Sequence, residues 1–433
     1  MSPGAYARTM LEREARAMLA RLALVKPFAL QETVLPAAAL LPVAQSAIDK
    51  CLLIGRRELR TLLKGYVRWL GRADDRITPA QAQRRFSILR LKFNIVLTQF
   101  DMFADVITQR SESETGVWLG GLDVAATDAL ALPGHYDAPP VICYLDRDIG
   151  AAIRRARTRL PGGVENPVAI IRVPRERMVG SGIASSLVHE VGHQAAALLD
   201  LVNSLRPVLQ ALQRGGGADR VAWSLWERWI SEIVADLWSV GRVGIGSTQG
   251  LINVVSLPRP FVFRLNLEDP HPMPWFRVML SAAMGEALYP HPQWRRVAAL
   301  WESYYPPQGL PSGTASILAR LQASLPAFVA LLVEHRPKAL RGRSLREIFE
   351  TTARQPARLE ALYREWVGDP SQMYRAPPTM VFAVIGQARA NGWLAPEDES
   401  TLVAKLLTYW ALRATINTSE LCAGIPKLQR AAA

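Results

Sequence analysis

The strongest constraint on the fold of this chain lies at residues 185–193, SSLVHEVGH, where polar side chains interrupt an apolar segment. His189 and His193 are four residues apart, so they share one face if the segment is an α-helix. Glu190 then lies about 100° further round the helix, beside the two imidazoles. The leucines and valines around these residues indicate a core helix. Such a helix needs partners for two histidines and a glutamate, because burying an unpaired charge is costly.

The pattern HExxH is typical of zinc sites. On a helix, both imidazoles can bind one Zn²⁺ ion at about 2.0–2.1 Å. The carboxylate of Glu190 would lie next to the ion, where it can take a proton from water. The alternative is a structural helix whose histidines bond only to backbone groups. With 6 histidines in the chain, a chance match is rare, on the order of 1 in 250, and the pattern favours zinc.

A second polar pair occurs downstream, in a segment that is otherwise rich in Trp, Ile, Leu and Val. Glu232 and Asp236 are four residues apart, so they too share a helix face. One carboxylate can reach the metal, and the other can accept a hydrogen bond from a metal-bound histidine. The alternative is a solvated acidic face. The spacing predicts Glu232 as third ligand and Asp236 as its supporting neighbour.

HExxH followed by ExxxD on a later helix resembles the gluzincin metallopeptidases, the thermolysin-like zinc enzymes. The two motifs are separated by 232 − 193 = 39 residues. In motif wording, HEVGH and EIVAD are similar to the CAAX-type metallopeptidases, which also carry His-Pro followed by Arg-Val or Arg-Ile. This chain has His271 and Pro272, then Arg277 and Val278. The resemblance covers about residues 139–290.

This resemblance implies a role for each matching residue. The zinc ligands would be His189, His193 and Glu232, with a fourth position left for water, as in catalytic zinc sites. Glu190 would be the general base and later the proton donor to the leaving amine.

The resemblance also implies roles for residues around the ligands. Asp236 would orient His189, and His271 would stabilise the oxyanion, although a histidine in a turn between prolines is the alternative. Arg277 is expected to be structural.

The strand before the active helix lies at the edge of the sheet in zincins, where a peptide substrate pairs with it. Residues 167–173 occupy that place in the order of elements. The resemblance therefore implies substrate-binding residues at Ala169, Ile170 and Ile171, and a protein or peptide substrate.

The predicted fold class is α+β, predominantly helical, with a zincin-like metalloprotease core between two helical regions. Residues 1–110 and 314–433 are the helical regions, and 115–305 form the core. The proposed order in the core is a strand near 141–145, a helix at 149–160, the strand at 167–173 and a helix at 183–205. In the N-terminal region, Thr78 and Pro79 indicate the start of a helix that continues to Ile107.

Charge and hydropathy limit the classes of partner. The net charge is +13, and residues 1–110 contribute 18 − 9 = +9. This basic region is either a solvated helical face or a contact for an acidic partner. Nucleic acid is unlikely as a ligand, since no recognised binding motif occurs. No signal peptide or run of about 20 apolar residues is evident, which predicts a cytoplasmic protein without a transmembrane segment.

The sequence thus predicts a zinc metallopeptidase that hydrolyses peptide bonds with Glu190 as general base. The alternative is a non-enzymatic interaction or assembly protein that uses a zincin scaffold with a structural or absent metal. Because the CAAX-type enzymes are embedded in membranes and this chain has no predicted membrane span, a soluble relative is expected.

Overall fold

A computed structural model describes residues 3–25, 35–72, 77–146, 151–174, 181–215, 220–266 and 268–422. Within them the chain is predominantly helical, with one small three-stranded sheet. Short 3₁₀ turns occur at Pro36–Ala38, Gln109–Ser111 and Lys338–Leu340. The α-helices, numbered in chain order, are α1 (Pro3–Leu24), α2 (Pro42–Gly71), α3 (Pro79–Thr108), α4 (Ser113–Leu130), α5 (Ser181–Leu198), α6 (Leu201–Arg214), α7 (Arg220–Val243), α8 (Ile245–Val255), α9 (Arg259–Val262), α10 (Pro274–Leu288), α11 (Gln293–Tyr304), α12 (Ser312–Val333), α13 (Leu345–Ile348), α14 (Pro356–Gly368), α15 (Pro370–Arg375), α16 (Pro378–Ala390) and α17 (Pro396–Cys422).

Helices α1, α2 and α3 form an N-terminal bundle in which each helix packs against the other two. The start of α3 is fixed by a capping box, in which the side chains of Thr78 and Gln81 each accept a hydrogen bond from the other residue's backbone N–H. The apolar stripe of α3, including Phe86 and Phe93, is buried in the bundle. The helix predicted to start at Pro79 is therefore confirmed.

The sheet has the order β1–β3–β2, where β1 is Val141–Asp146, β2 is Ala152–Arg154 and β3 is Ala169–Pro174. β3 pairs with β1 in parallel and with β2 in antiparallel orientation. Because strand side chains alternate between faces, Cys143 and Ile171 join the large core around α5, while Ile142 and Ile170 join the core of the N-terminal bundle. The sheet thus separates and connects two apolar cores.

The segment predicted as a helix at 149–160 is not helical in its described part, which starts at residue 151. It contains β2, followed by turns. Asn166 holds these turns, since its amide donates to the carbonyl of Arg155 and its backbone bonds to Arg157 and Thr158. Apolar residues three and four apart in this segment mimic a helix, but pairing with β3 determines the structure.

β2 also corrects the position of the expected substrate strand. Residues 167–173 do contain a strand, β3, but it lies at the centre of the sheet. Ile170 and Ile171 are paired on both sides, and Ala169 is paired with β1. All three are buried. A strand with neighbours on both sides cannot accept a substrate strand, so the assignment of these residues to substrate binding was wrong.

The helix predicted at 183–205 is two helices, α5 and α6. The break occurs at Asp200, which adopts a left-handed conformation with φ 53°. Pro207, two residues beyond the predicted end of the helix, lies inside α6.

In the described part of the chain, one helix, α12, has the length and composition of a membrane-crossing helix, and 39% of its most apolar stretch is buried. Sequence analysis overlooked it, because Arg320 and several small polar residues interrupt its apolar run. α12 packs against α7 and α10. Phe328 stacks on Trp226 with ring centroids 4.2 Å apart, and the Trp226 indole donates a hydrogen bond to Ser324. The apolar side of α12 is thus part of the large core.

Candidate metal centre

Two neighbouring helices bring three metal-ligating side chains together. α5 carries His189 and His193, and α7 carries Glu232. One ligand atom from each residue lies within 4.8 Å of the other two. The Nε2 atoms of His189 and His193 lie 3.4 and 3.5 Å from Oε2 of Glu232. The predicted ligand set is therefore assembled in space.

These distances fit a tetrahedral zinc site. Metal–ligand bonds of about 2.0–2.1 Å in tetrahedral geometry separate the ligand atoms by about 3.3–3.4 Å. Oε2 of Glu232 is buried and forms no hydrogen bond of good geometry with any described residue. A buried carboxylate oxygen without a well-formed hydrogen bond needs a compensating positive charge. A cation between the three ligands would provide it.

The ionisation of Glu232 matches this role. Burial alone would raise the pKa of Glu232, but the imidazoles of His189, His193 and His271 close to its carboxylate hold it well below its usual range. The carboxylate is therefore an anion at neutral pH, as a zinc ligand must be.

Close packing of α5 on α7 makes the cluster possible. At Gly192, between the two histidines, an added Cβ would lie 2.8 Å from Cα of Ala235 and 3.0 Å from Cβ of Trp238. No larger residue fits there without separating the helices. The glycine in the HExxH segment is thus what allows Glu232 to approach both imidazoles.

Asp236 and Arg277 support His189 from behind. Nδ1 of His189 lies 2.8 Å from Oδ1 of Asp236. The guanidinium of Arg277 donates to both oxygens of Asp236, at 2.7 and 2.8 Å. Although burial raises the pKa of Asp236, Arg277 and His189 lower it below its usual range. The ionised Asp236 holds the proton of His189 on Nδ1 and leaves Nε2 directed at the metal position.

Glu190 lies in the same helix but differs from Glu232 in its ionisation. Its side chain is buried, with 7% exposure. Burial raises the pKa of Glu190, more than the nearby His189 and His193 lower it. Two carboxylates with pKa values shifted in opposite directions are typical of a site in which one is a ligand and the other transfers protons.

His271 lies in the loop before α10 and reaches the centre from its open side. Its Nε2 is 3.2 Å from Oε2 of Glu232, and its Nδ1 is 2.7 Å from Oδ1 of Asp269. The close approach of the Glu232 carboxylate is the main cause of the raised pKa of His271. The structure therefore brings His271 to the site, as the sequence predicted. His271 is not part of the candidate ligand group, which consists of His189, His193 and Glu232.

Two residues contribute to the site in ways that were not recognised from the sequence. Arg277 was expected to be structural, and the sequence did not identify its partner, Asp236, whose pKa the guanidinium lowers. Asp269 was not identified, although an aspartate two residues before a histidine is a recognisable signal, because its side chain can bond the histidine's backbone N–H, as it does here at 3.0 Å.

β2 forms the edge of the sheet that lies beside α5. Oε1 of Gln194, the residue after His193, accepts a hydrogen bond of 2.8 Å from the backbone N–H of Ala156. This bond connects the segment that follows β2 to α5, the helix that carries both histidines of the candidate centre. The edge strand beside α5 is thus β2, which the sequence analysis had interpreted as a helix.

Comparison of the chain with protein-family models, curated proteins and solved structures finds no match in any of the three.

Proposed function

We propose that this protein is a zinc-dependent metallopeptidase with a zincin-like core. The observation that carries the proposal is the geometry of His189, His193 and Glu232, whose nitrogen-to-oxygen distances of 3.4 and 3.5 Å suit tetrahedral coordination. The burial of Glu190 beside them favours a catalytic over a structural zinc site. A structural site is closed by four protein ligands and does not use a neighbouring carboxylate.

When bound, zinc would supply a Lewis acid that polarises the substrate carbonyl and makes water more acidic. Glu190 would accept the proton of the attacking water, since its raised pKa brings it closer to the working pH. The same carboxyl group would then deliver the proton to the leaving amine. Its fixed place in α5 would keep it within reach of both.

His271 would donate a hydrogen bond to the oxyanion that develops on the scissile carbonyl. The raised pKa of His271 favours the protonated form that such a donor requires. Asp269 holds Nδ1 of the ring, so Nε2 faces the centre. Because His271 is about half exposed, it can approach a substrate that enters from solvent.

An extended peptide would bind along β2 in place of the strand predicted from sequence. Among the described residues, β2 pairs with β3 on one side only, so its other edge can accept a substrate strand. Its connection to α5 through Gln194 holds that edge in a fixed position relative to His193. This arrangement favours peptides over small molecules as substrates.

The test combines zinc content with cleavage of an internally quenched peptide library. The wild type should contain about one zinc per chain and cleave peptides. Glu232→Ala should lose most of the metal, while Glu190→Gln should keep the metal and lose at least about 100-fold in rate. Glu227→Gln, on α7 outside the cluster, is the matched control and should change neither property.

The alternative function is a non-enzymatic interaction or assembly protein. Zinc in the wild type without cleavage of any peptide would favour a scaffold with structural metal. A folded wild type that takes up no zinc would favour a scaffold without metal. Full activity of Glu190→Gln would contradict the proposed role of that residue.

A further inference from the structure

An apolar groove runs between α2 and α3 on the surface of the N-terminal bundle, with a volume of about 320 Å³. Both helices line it with residues at positions i, i+3, i+4 and i+7, a single face of each helix. The large apolar side chains of the lining are Leu62, Tyr66, Trp69, Ile88 and Leu89. The groove shares no residue with the metal centre.

The groove has room for a further element. Leu62 and Ile88 are 41% and 51% exposed, although each lies beside buried neighbours. Gly65 lies in the groove, and an added Cβ there would meet no atom within 4 Å. Tyr66 is held in place by a hydrogen bond of 3.0 Å to the carbonyl of Ala82. The walls are therefore fixed, while no side chain in the described ranges fills the apolar space between them, as at interaction sites.

The charge around the groove is positive. Arg85 lies over the ring of Trp69, at 4.2 Å from its centroid, and Lys92 lines the groove two turns further along the same face of α3. Neither forms a salt bridge with a described residue. Segments 59–72 and 77–100 contain eight basic and no acidic residues, and with Arg76, Asp74 and Asp75 between them the net charge is 9 − 2 = +7. A negatively charged ligand is favoured.

We propose that this groove binds an amphipathic helix of another protein, with acidic residues flanking its apolar face. Two parallel rows of side chains at helical spacing accept the ridge of a third helix. Trp and Arg, which contribute most to binding energy at interfaces, lie together in the wall. The groove is concave, whereas a lipid surface would contact protruding side chains, so a helix fits better than a membrane.

The experiment uses the full chain and a fluorescein-labelled peptide of about 20 residues, with leucines at helical spacing and glutamates beside them. A second peptide carries lysines in place of the glutamates. Fluorescence anisotropy should show micromolar binding of the acidic peptide and at least about tenfold weaker binding of the basic one. Binding should weaken as salt rises to about 0.3 M.

Variants locate the site. Gly65→Trp projects an indole into the groove from a position where an added Cβ meets no atom within 4 Å, and it should reduce affinity at least about tenfold; Arg85→Glu should do the same. Lys64→Glu makes the same charge change on α2 outside the groove and should have little effect. Circular dichroism of each variant verifies that α2 and α3 remain folded.

Four outcomes would overturn the proposal. These are no binding of the acidic peptide, equal losses in Arg85→Glu and Lys64→Glu, stronger binding to anionic phospholipid vesicles than to the peptide, and a wild-type dimer in light scattering that Gly65→Trp converts to monomer. The second outcome would indicate nonspecific charge attraction, the third a membrane, and the fourth a second copy of the chain as occupant.

Discussion

The carboxylate of Asp236 bonds to both a histidine and an arginine, and the candidate metal centre depends on these two contacts. Oδ1 contacts both His189 and Arg277, while Oδ2 accepts a second bond from Arg277. A single buried carboxylate thus fixes the tautomer of one ligand. Its own charge is balanced by the guanidinium, so the cost of burying it is offset.

Asp236→Asn should weaken zinc binding about 10- to 100-fold, because the amide no longer holds the proton on Nδ1 of His189 as strongly. Competition with a chromophoric chelator measures the affinity. Asp269→Asn is the matched control, since Asp269 contacts His271 and no predicted ligand, and its zinc affinity should stay at the wild-type value. Equal affinities of all three proteins would contradict the supporting role of Asp236.

Zinc binding should depend on pH through His189. Burial alone lowers the pKa of His189, but Asp236 outweighs it and, without metal, raises the pKa to about 9. Below this pH the metal must displace the proton. The apparent affinity should therefore fall by up to about tenfold per unit as pH decreases from 9, and become level above it.

Calorimetry in buffers of different ionisation enthalpy measures this proton release. At pH 7.5 the wild type should release close to one proton from His189 on binding zinc, and Asp236→Asn should release fewer. Zinc affinity that is constant between pH 6 and 8 would contradict the expected competition.

At the scale of elements, the contact of α5 with α7 sets the distance between the ligands. Gly192→Ala places a methyl group within 3.0 Å of the α7 backbone. We expect a loss of about 1–3 kcal/mol in the free energy of unfolding, together with reduced zinc content, because Glu232 moves away from the imidazoles.

Gly65→Ala is the matched control for this change. It is also a glycine-to-alanine substitution within a helix, but it meets no atom within 4 Å, so it should stabilise the protein by about 0.5–1 kcal/mol. Urea unfolding of both variants, with metal analysis, measures the two effects. A stabilised Gly192→Ala protein with full zinc content would show that the helices do not need this close approach.

Sequence patterns predicted the elements whose signals are local. The capping box at Thr78 and the spacing of His189, Glu190 and His193 depend only on helix geometry, so the N-terminus of α3 and the shared face of the ligands were predicted. The ligand set could also be predicted across two helices, since Glu232 follows the same rule. These features require no knowledge of distant contacts.

The edge strand could not be predicted in this way. Ile153 and Ala156 have helical spacing, but pairing with β3 makes Ile153 extended, and the bonds of Asn166 hold the turns that contain Ala156. The same limit applies to Arg277, whose function depends on Asp236, 41 residues earlier. Non-local pairing decides both, and a single sequence carries little signal for it.

At the scale of the whole molecule, Arg110 connects the two apolar cores. Its guanidinium forms a buried ion pair with Asp123 of α4 at 2.9 Å and donates to the carbonyls of Cys143 in β1 and of Ala38. One side chain thus joins the sheet, α4 and the segment before α2. The region between 110 and 116, which the sequence suggested as a domain boundary, contains this connection.

Arg110→Met should destabilise the protein by about 3–5 kcal/mol at neutral pH, because Asp123 would remain buried without its partner. Burial already raises the pKa of Asp123 despite Arg110, and loss of the arginine raises it further. A raised folded pKa means that the penalty grows as pH rises through the unfolded value of about 4 toward the folded one. The variant should therefore be closer to wild-type stability at pH 5 than at pH 8.

Urea unfolding at both pH values measures this difference. The double variant Arg110→Met/Asp123→Asn has no carboxylate at position 123, so the difference in its stability from wild type should vary much less with pH. An Arg110→Met protein that is equally destabilised at pH 5 and pH 8 would contradict a cost that arises from the charge of Asp123.

The order of synthesis gives the contact between Arg277 and His189 a further meaning. Arg277 is 88 residues later in the chain than His189. At about 5–20 residues per second, a ribosome would release the arginine roughly 4–18 s after the histidine. During that interval the nascent chain contains His189 but not yet Arg277, whose positive charge balances Asp236. On the proposed function, the polypeptide would reach its full affinity for zinc only late in translation, after all three proposed ligands have been made.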